Sequence, residues 1–128
     1  MTIQLVGTYV SEDGQHTLKV TESTPSNGRF SGIFTAKNTP EGEVSYKIVN
    51  GDAARWYYTL RNASNDFAGI GFMVAERPGD ARFVLVDSWA GSLNNAGALL
   101  MSGSRSYTTN AGDRQVFSFG NVKFIKQK

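Results

Sequence analysis

The chain contains no cysteine, which excludes disulfides and thiol chemistry and leaves the redox compartment open. It has one histidine, His16. A histidine-rich metal site is therefore excluded, and no cysteine is there to complete a mixed one. No serine–histidine–acid arrangement stands on a recognisable elbow either, so neither a catalytic nor a metal-binding residue is assigned. Proline is scarce, at three residues. No apolar run is long enough to span a bilayer as a helix. No secretory leader is visible, so the chain is expected to be either cytoplasmic or a trimmed mature form of a secreted protein. The charge is mild, +2 with a calculated pI near 9.0, and basic residues cluster only at Lys123, Lys126 and Lys128. A nucleic-acid surface would need a stronger stripe, so neither a nucleic-acid nor a membrane partner is expected.

What is present is a globular composition. Hydrophobic residues make up 40% and charged residues 19% of 128 positions, enough for a single domain, 1–128, around one core. Fourteen glycines suit many tight turns. Phe83–Ser92 has the two-residue alternation of a strand, with Phe83, Leu85, Asp87, Trp89 and Gly91 on one face. Ala68–Glu76 precedes it across the turn at Pro78-Gly79-Asp80, placing Ile70, Phe72 and Val74 together. Ala98–Tyr107 and Val116–Ile125 follow it.

Upstream, Gln4–Val10, His16–Ser23, Arg29–Ala36 and Val44–Val49 read as strands. They are separated by turn signals such as Asp13-Gly14 and Asn27-Gly28. Arg55–Leu60 has strong β propensity and reads as a short strand or an aromatic loop over the core. Gly32, inside its strand, marks curvature or close approach of another group. The last strand changes phase, with Phe117 and Phe119 odd and Val122 and Phe124 even. A glycine, Gly120, at the break predicts a β-bulge. No segment has a helical period. The fold class is therefore all-β, an eight-stranded antiparallel up-and-down barrel whose closure removes exposed edges. A two-sheet sandwich is the alternative.

Several segments, in order, resemble the avidin/streptavidin family of biotin-binding barrels. They are Leu5-Val6-Gly7-Thr8-Tyr9 with Gly14, Arg29-Phe30-Ser31-Gly32-Ile33-Phe34, Gly71-Phe72-Met73-Val74, Trp89-Ala90-Gly91 and Phe119–Lys126. The resemblance implies a non-enzymatic barrel that assembles as a dimer or tetramer and captures a small molecule, with no cofactor beyond biotin as a possible ligand. It also implies where the ligand would sit. Ser11 and Gln15 stand at the polar positions of the first loop, and Trp89 keeps a wall tryptophan. Other family positions are altered. Phe34 replaces a hydroxyl-bearing tyrosine, Ala36 a serine, Glu76 an aromatic, Asp87 a threonine, Ala98 a tryptophan and Val122 an aspartate. Lost directed hydrogen bonds lower affinity for a polar ligand, so weak or no tight biotin binding is expected.

The candidate ligand-binding residues are thus Ser11, Gln15, Phe34, Phe72, Glu76, Asp87 and Trp89, and the ligand is unidentified. Two other functions remain open on this scaffold: a protein-interaction or inhibitor module working through its loops, and carbohydrate binding. Asp87 shares a face with Trp89, and if buried it needs a partner, a cation or a wet cavity. His16 reads as a surface residue at the start of a strand. The run Ser102–Tyr107 reads as a solvated strand or interface, with Arg105 a cross-subunit anchor. Trp56-Tyr57-Tyr58 reads as a plug over the core, a subunit interface or a stacking platform.

Overall fold

The computed structural model describes residues 3–24, 26–48, 54–58 and 67–128, with backbone alone at Tyr57 and Tyr58. The described residues form nine strands and no helix: β1 (Gly7–Ser11), β2 (His16–Thr24), β3 (Arg29–Thr39), β4 (Gly42–Ile48), β5 (Ala54–Tyr58), β6 (Phe67–Glu76), β7 (Phe83–Asn94), β8 (Ala98–Thr109) and β9 (Arg114–Lys126).

The nine segments fill eight places in a closed ring. β2 pairs with both β1 and β3, and β1 closes the ring on β9 through Tyr9 beside Lys126. β4 and β5 both run antiparallel to β3, with Ile48 beside Gly32 and Arg55 beside Arg29. They occupy successive lengths of one place, and β5 passes the pairing to β6. From β6 to β9 the pairing is a long antiparallel meander. The result is the eight-stranded antiparallel barrel that the alternation implied. One end, here the upper, carries the β1–β2, β3–β4, β6–β7 and β8–β9 links. The lower end carries the β2–β3 and β7–β8 links, the start of β1 and the end of β9.

Alternation sets the interior. Phe30, Phe34 and Ala36 of β3, Ile70, Phe72 and Val74 of β6, and Phe83, Leu85, Asp87 and Trp89 of β7 are all buried. Each large apolar side chain removed from water contributes roughly 1.5–3 kcal/mol. Gly32 pairs with Val20 where the β2 register slips between Val20 and Glu22. A Cβ there would collide with the Lys19 carbonyl, which is the close approach that its place in a strand implied. Gly120 adopts φ +70°, and the β8–β9 register skips Phe119 between Gly103 and Ser104. The phase change is therefore a bulge.

Some strand limits differ from the sequence reading. The first strand begins at Gly7, not Gln4, because Gly7 takes φ +152° and breaks the extended run. Ile3 and Leu5 remain buried, and the Tyr9 hydroxyl donates to the Leu5 carbonyl at 2.7 Å. β8 and β9 extend further than expected, to Thr109 and from Arg114. In the aromatic run, Ala54–Tyr58 is a strand and Trp56 is buried. Thr59 and Leu60 lie outside the described residues.

Two side-chain placements are corrected. His16 is buried, 6% exposed, because β2 begins with its inward phase at His16, in step with Leu18 and Val20. Arg105 is 2% exposed and points into the barrel. It falls in step with Leu99, Met101, Gly103 and Tyr107 along β8, so the strand's inner face, not its polar composition, decides its place.

Candidate functional site

The upper half of the barrel holds a layer of rings around Phe34. Phe34 of β3 meets Trp89 of β7 at 5.6 Å between centroids, Phe72 of β6 at 5.4 Å, Tyr46 of β4 at 6.2 Å and His16 of β2 at 5.8 Å. The three expected wall residues, Phe34, Phe72 and Trp89, are thus brought together. Space for the indole comes from its neighbour in register, Gly103. A Cβ there would lie 2.5 Å from the Trp89 ring. Phe119, the residue displaced by the bulge, stacks flat on Trp89 at 5.2 Å, and Phe124 meets its edge at 5.6 Å.

Above this layer lies a buried ion pair. Asp87 and Arg105 face each other across β7 and β8. Arg105 Nε donates to Asp87 Oδ1 at 2.7 Å and Nη2 to Oδ2 at 2.8 Å. This two-pronged geometry is the strong form of a charge-assisted pair. The guanidinium also sits 4.8 Å from the Phe119 ring centroid, a cation–π contact. Asp87 thus has the partner that burial demands, and its carboxylate is fully engaged.

The same arginine reaches the rim. Its Nη1 donates to the Asn38 carbonyl at 3.1 Å, and the Tyr107 hydroxyl donates to Glu41. Arg82, on the β6–β7 link, stands 3.8 Å from Glu41. The β3–β4 hairpin is therefore tied across the mouth to β8. Glu76 falls on the inner face at the end of β6, half-buried at the rim.

The first-loop residues are arranged differently from a free pair of donors. Ser11 Oγ donates to Asp13 Oδ1 at 2.7 Å and accepts from the His16 amide at 2.9 Å. The Gln15 amide also donates to Asp13, at 3.0 Å, and its carbonyl accepts from Lys37. The Gln15 amide and the Ser11 hydroxyl hold the Asp13 carboxyl below its ordinary range. Ser11 is thus committed to shaping the loop, while the Gln15 side chain stays half-exposed.

Burial dominates the titration of the inner groups. It lowers His16, against an opposing effect of Asp13, so the imidazole is held neutral. Burial and the nearby Asp87 carboxylate push the Tyr46 phenol up. Three buried polar atoms in this layer have no hydrogen-bond partner among the described residues: His16 Nδ1, Tyr46 Oη and Trp89 Nε1. All three belong to residues packed on Phe34.

Reasoning from the sequence did not include His16, Tyr46, Arg105 and Phe119 in the site. The inward phase of β8 was the available signal for Arg105, as was the need of Asp87 for a cation. Nothing in the sequence marks Phe119 as the bulged residue in place of its neighbours.

No protein-family model matches this chain, and no curated protein matches it. Among solved structures, apo shwanavidin in its P21 crystal form superposes over 98% of this chain and 98% of its own. The TM-score is 0.57 and the identity 16%. The likeness is one of fold, and the chain has an avidin-like barrel.

Proposed function

We propose that this avidin-like barrel is a non-enzymatic binding protein that captures a small polar ligand in its upper half. Phe34, Phe72 and Trp89 form the apolar walls. The observation that carries this reading is the trio of unpaired buried atoms, His16 Nδ1, Tyr46 Oη and Trp89 Nε1. Buried polar groups in folded proteins are almost always paired, and a small polar molecule lodged among them would supply the partners. Gln15 and Glu76 stand near the entrance as polar contacts. Asp87 contributes through Arg105, and Ser11 through the shape of its loop. The likeness to an avidin-type protein supports the same reading at the level of fold.

Tight biotin capture is not part of the proposal. Phe34, Ala36 and Val122 have no polar side-chain atom where the resembled family uses one, and the donors here lie elsewhere. The ligand class is a compact polar molecule with both donors and acceptors. Assembly into a homo-oligomer, dimer or tetramer, accompanies this function. The outer face of β6 to β8 supports it, with small residues Gly69, Gly71 and Ala90 beside exposed Phe67, Met73 and Leu100. A second reading, a protein-interaction module, is favoured by one observation: Val116 is 80% and Phe117 40% exposed on the β8–β9 hairpin.

A thermal-shift screen of small polar heterocycles, sugars and biotin tests the proposal, with Tyr46→Phe and His16→Phe run in parallel. At least one compound should raise the melting temperature of the wild type and not of Tyr46→Phe. Stabilisation by no compound, or equal stabilisation of all three proteins, would turn the assignment to the interaction module. Calorimetric titration showing tight, one-per-chain saturation by biotin would overturn the expectation of weak binding. Light scattering on the same samples gives the subunit number.

A further inference from the structure

A cavity of about 180 Å³ opens at the lower end of the barrel, away from the ring of aromatics around Phe34. Ile3, Gln4, Tyr9, Leu93, Asn94 and Lys126 are among its lining residues. Its size is near that of an internal cavity able to hold a benzene ring. Lys126 is the single charged residue among the described residues of that lining. Its ammonium donates one hydrogen bond, to the Gln4 carbonyl at 2.6 Å, and sits 5.7 Å from the Tyr9 ring centroid. An ammonium has three donors, so two remain.

The lysine is held in place by missing side chains. A Cβ on Gly7 would come within 2.6 Å of its Cε, and one on Gly97 within 3.0 Å of its Cβ. Asn94 is fixed by its turn, because its Oδ1 accepts from the amides of Ala96 and Ala98, both at 3.0 Å. Its Nδ2 therefore remains as a donor, with no partner among the described residues. Two donor groups thus share a cavity with no carboxylate among the described residues of its lining. The remaining wall includes Ile3 and Leu93, both buried and apolar. Burial lowers the Lys126 pKa.

We propose that this lower cavity is a binding site for a small organic carboxylate, its charged end on Lys126 and Asn94 and its apolar end against Ile3 and Leu93. A carboxylate offers acceptors to both donors, and its alkyl part fits the apolar wall. Inorganic phosphate offers the first and lacks the second.

The test uses the whole chain, with propionate as the probe and chloride at matched ionic strength as the control. The Lys126 ε-methylene signal is followed by NMR. It should shift saturably with propionate, and the Lys126 pKa should rise by about one unit. Asn94→Asp keeps the acceptor that the turn needs while replacing the donor by a negative charge. It should abolish saturation without changing the melting temperature in the absence of propionate. A shift linear in concentration and equal to that in chloride would overturn the proposal, as would a wild-type response in Asn94→Asp. Phosphate saturating as tightly as propionate would overturn the choice of an organic carboxylate.

Discussion

Replacing Asp87 by asparagine keeps the shape of the side chain and removes its charge. Asp87 and Arg105 are 0% and 2% exposed, so the guanidinium would be left in the barrel without its counter-ion. Breaking a buried pair on one side costs about 3–5 kcal/mol. Arg105 keeps the Asn38 carbonyl and the Phe119 ring, which places the loss near the lower figure, about 3 kcal/mol. With roughly 2.1 cal/mol/K of unfolding entropy per residue, 128 residues give about 0.27 kcal/mol/K. The melting temperature of Asp87→Asn should therefore fall by about 11 °C. Urea unfolding followed by tryptophan fluorescence, at fixed protein concentration, measures the same loss. The double variant Asp87→Leu with Arg105→Met removes both charges and should recover most of it, because an apolar replacement of a buried pair is often neutral. The reasoning is refuted if Asp87→Asn lies within about 1 kcal/mol of wild type, or if the double variant is the less stable of the two.

Three further outcomes follow from the same geometry. Gly103→Ala would push a methyl group against the Trp89 ring. It should lower stability by about 1–3 kcal/mol and shift the tryptophan emission, whereas an unchanged spectrum and midpoint would mean that the ring can move aside. Stability should fall as pH drops through 6.5, the ordinary histidine value. There the unfolded chain takes up a proton at His16 and the folded chain does not. The steepest slope from this one group is about 1.4 kcal/mol per pH unit, and the loss levels off below the folded-state pKa. In His16→Phe, denaturant midpoints measured from pH 7.5 to 5 should lose this component. Finally, Tyr107→Phe removes the hydroxyl that bonds Glu41. Amide exchange in the β3–β4 hairpin should speed up while β7 and β8 stay protected, and unchanged exchange would show that the Arg105–Asn38 and Arg82–Glu41 contacts hold the hairpin without it.

The interior of the barrel was legible because a strand repeats every two residues. Phe34, Phe72 and Trp89 could be placed on inward faces from Arg29–Ala36, Ala68–Glu76 and Phe83–Ser92 alone. The bulge was legible for a similar reason, since a phase change with Gly120 at its centre has few other causes. The same rule was available for Arg105, but its polar surroundings, Ser104 and Ser106, outweighed the phase. Those serines are on the outer face of β8, Ser104 exposed and Ser106 half-buried. His16 was misjudged because a residue at a strand's end has neighbours on one side only, so its phase is hard to assign.

The sequence by itself determined the strand pattern, the turns and most of the inward faces, His16 and Arg105 apart, because these depend on neighbours along the chain. It also required that a buried Asp87 find a partner, because an isolated charge cannot leave water. Only the tertiary structure decided which cation that is. Arg105 lies 18 residues away along the chain and faces Asp87 only because the β7–β8 register brings them opposite. The mouth is likewise a tertiary property: Asn38 and Glu41 meet Arg105 and Tyr107 across 66 to 67 residues. So is the gathering of His16, Tyr46 and Trp89 around Phe34. Each comes from a different strand, and closure of the ring, which no local pattern encodes, turns them toward one another.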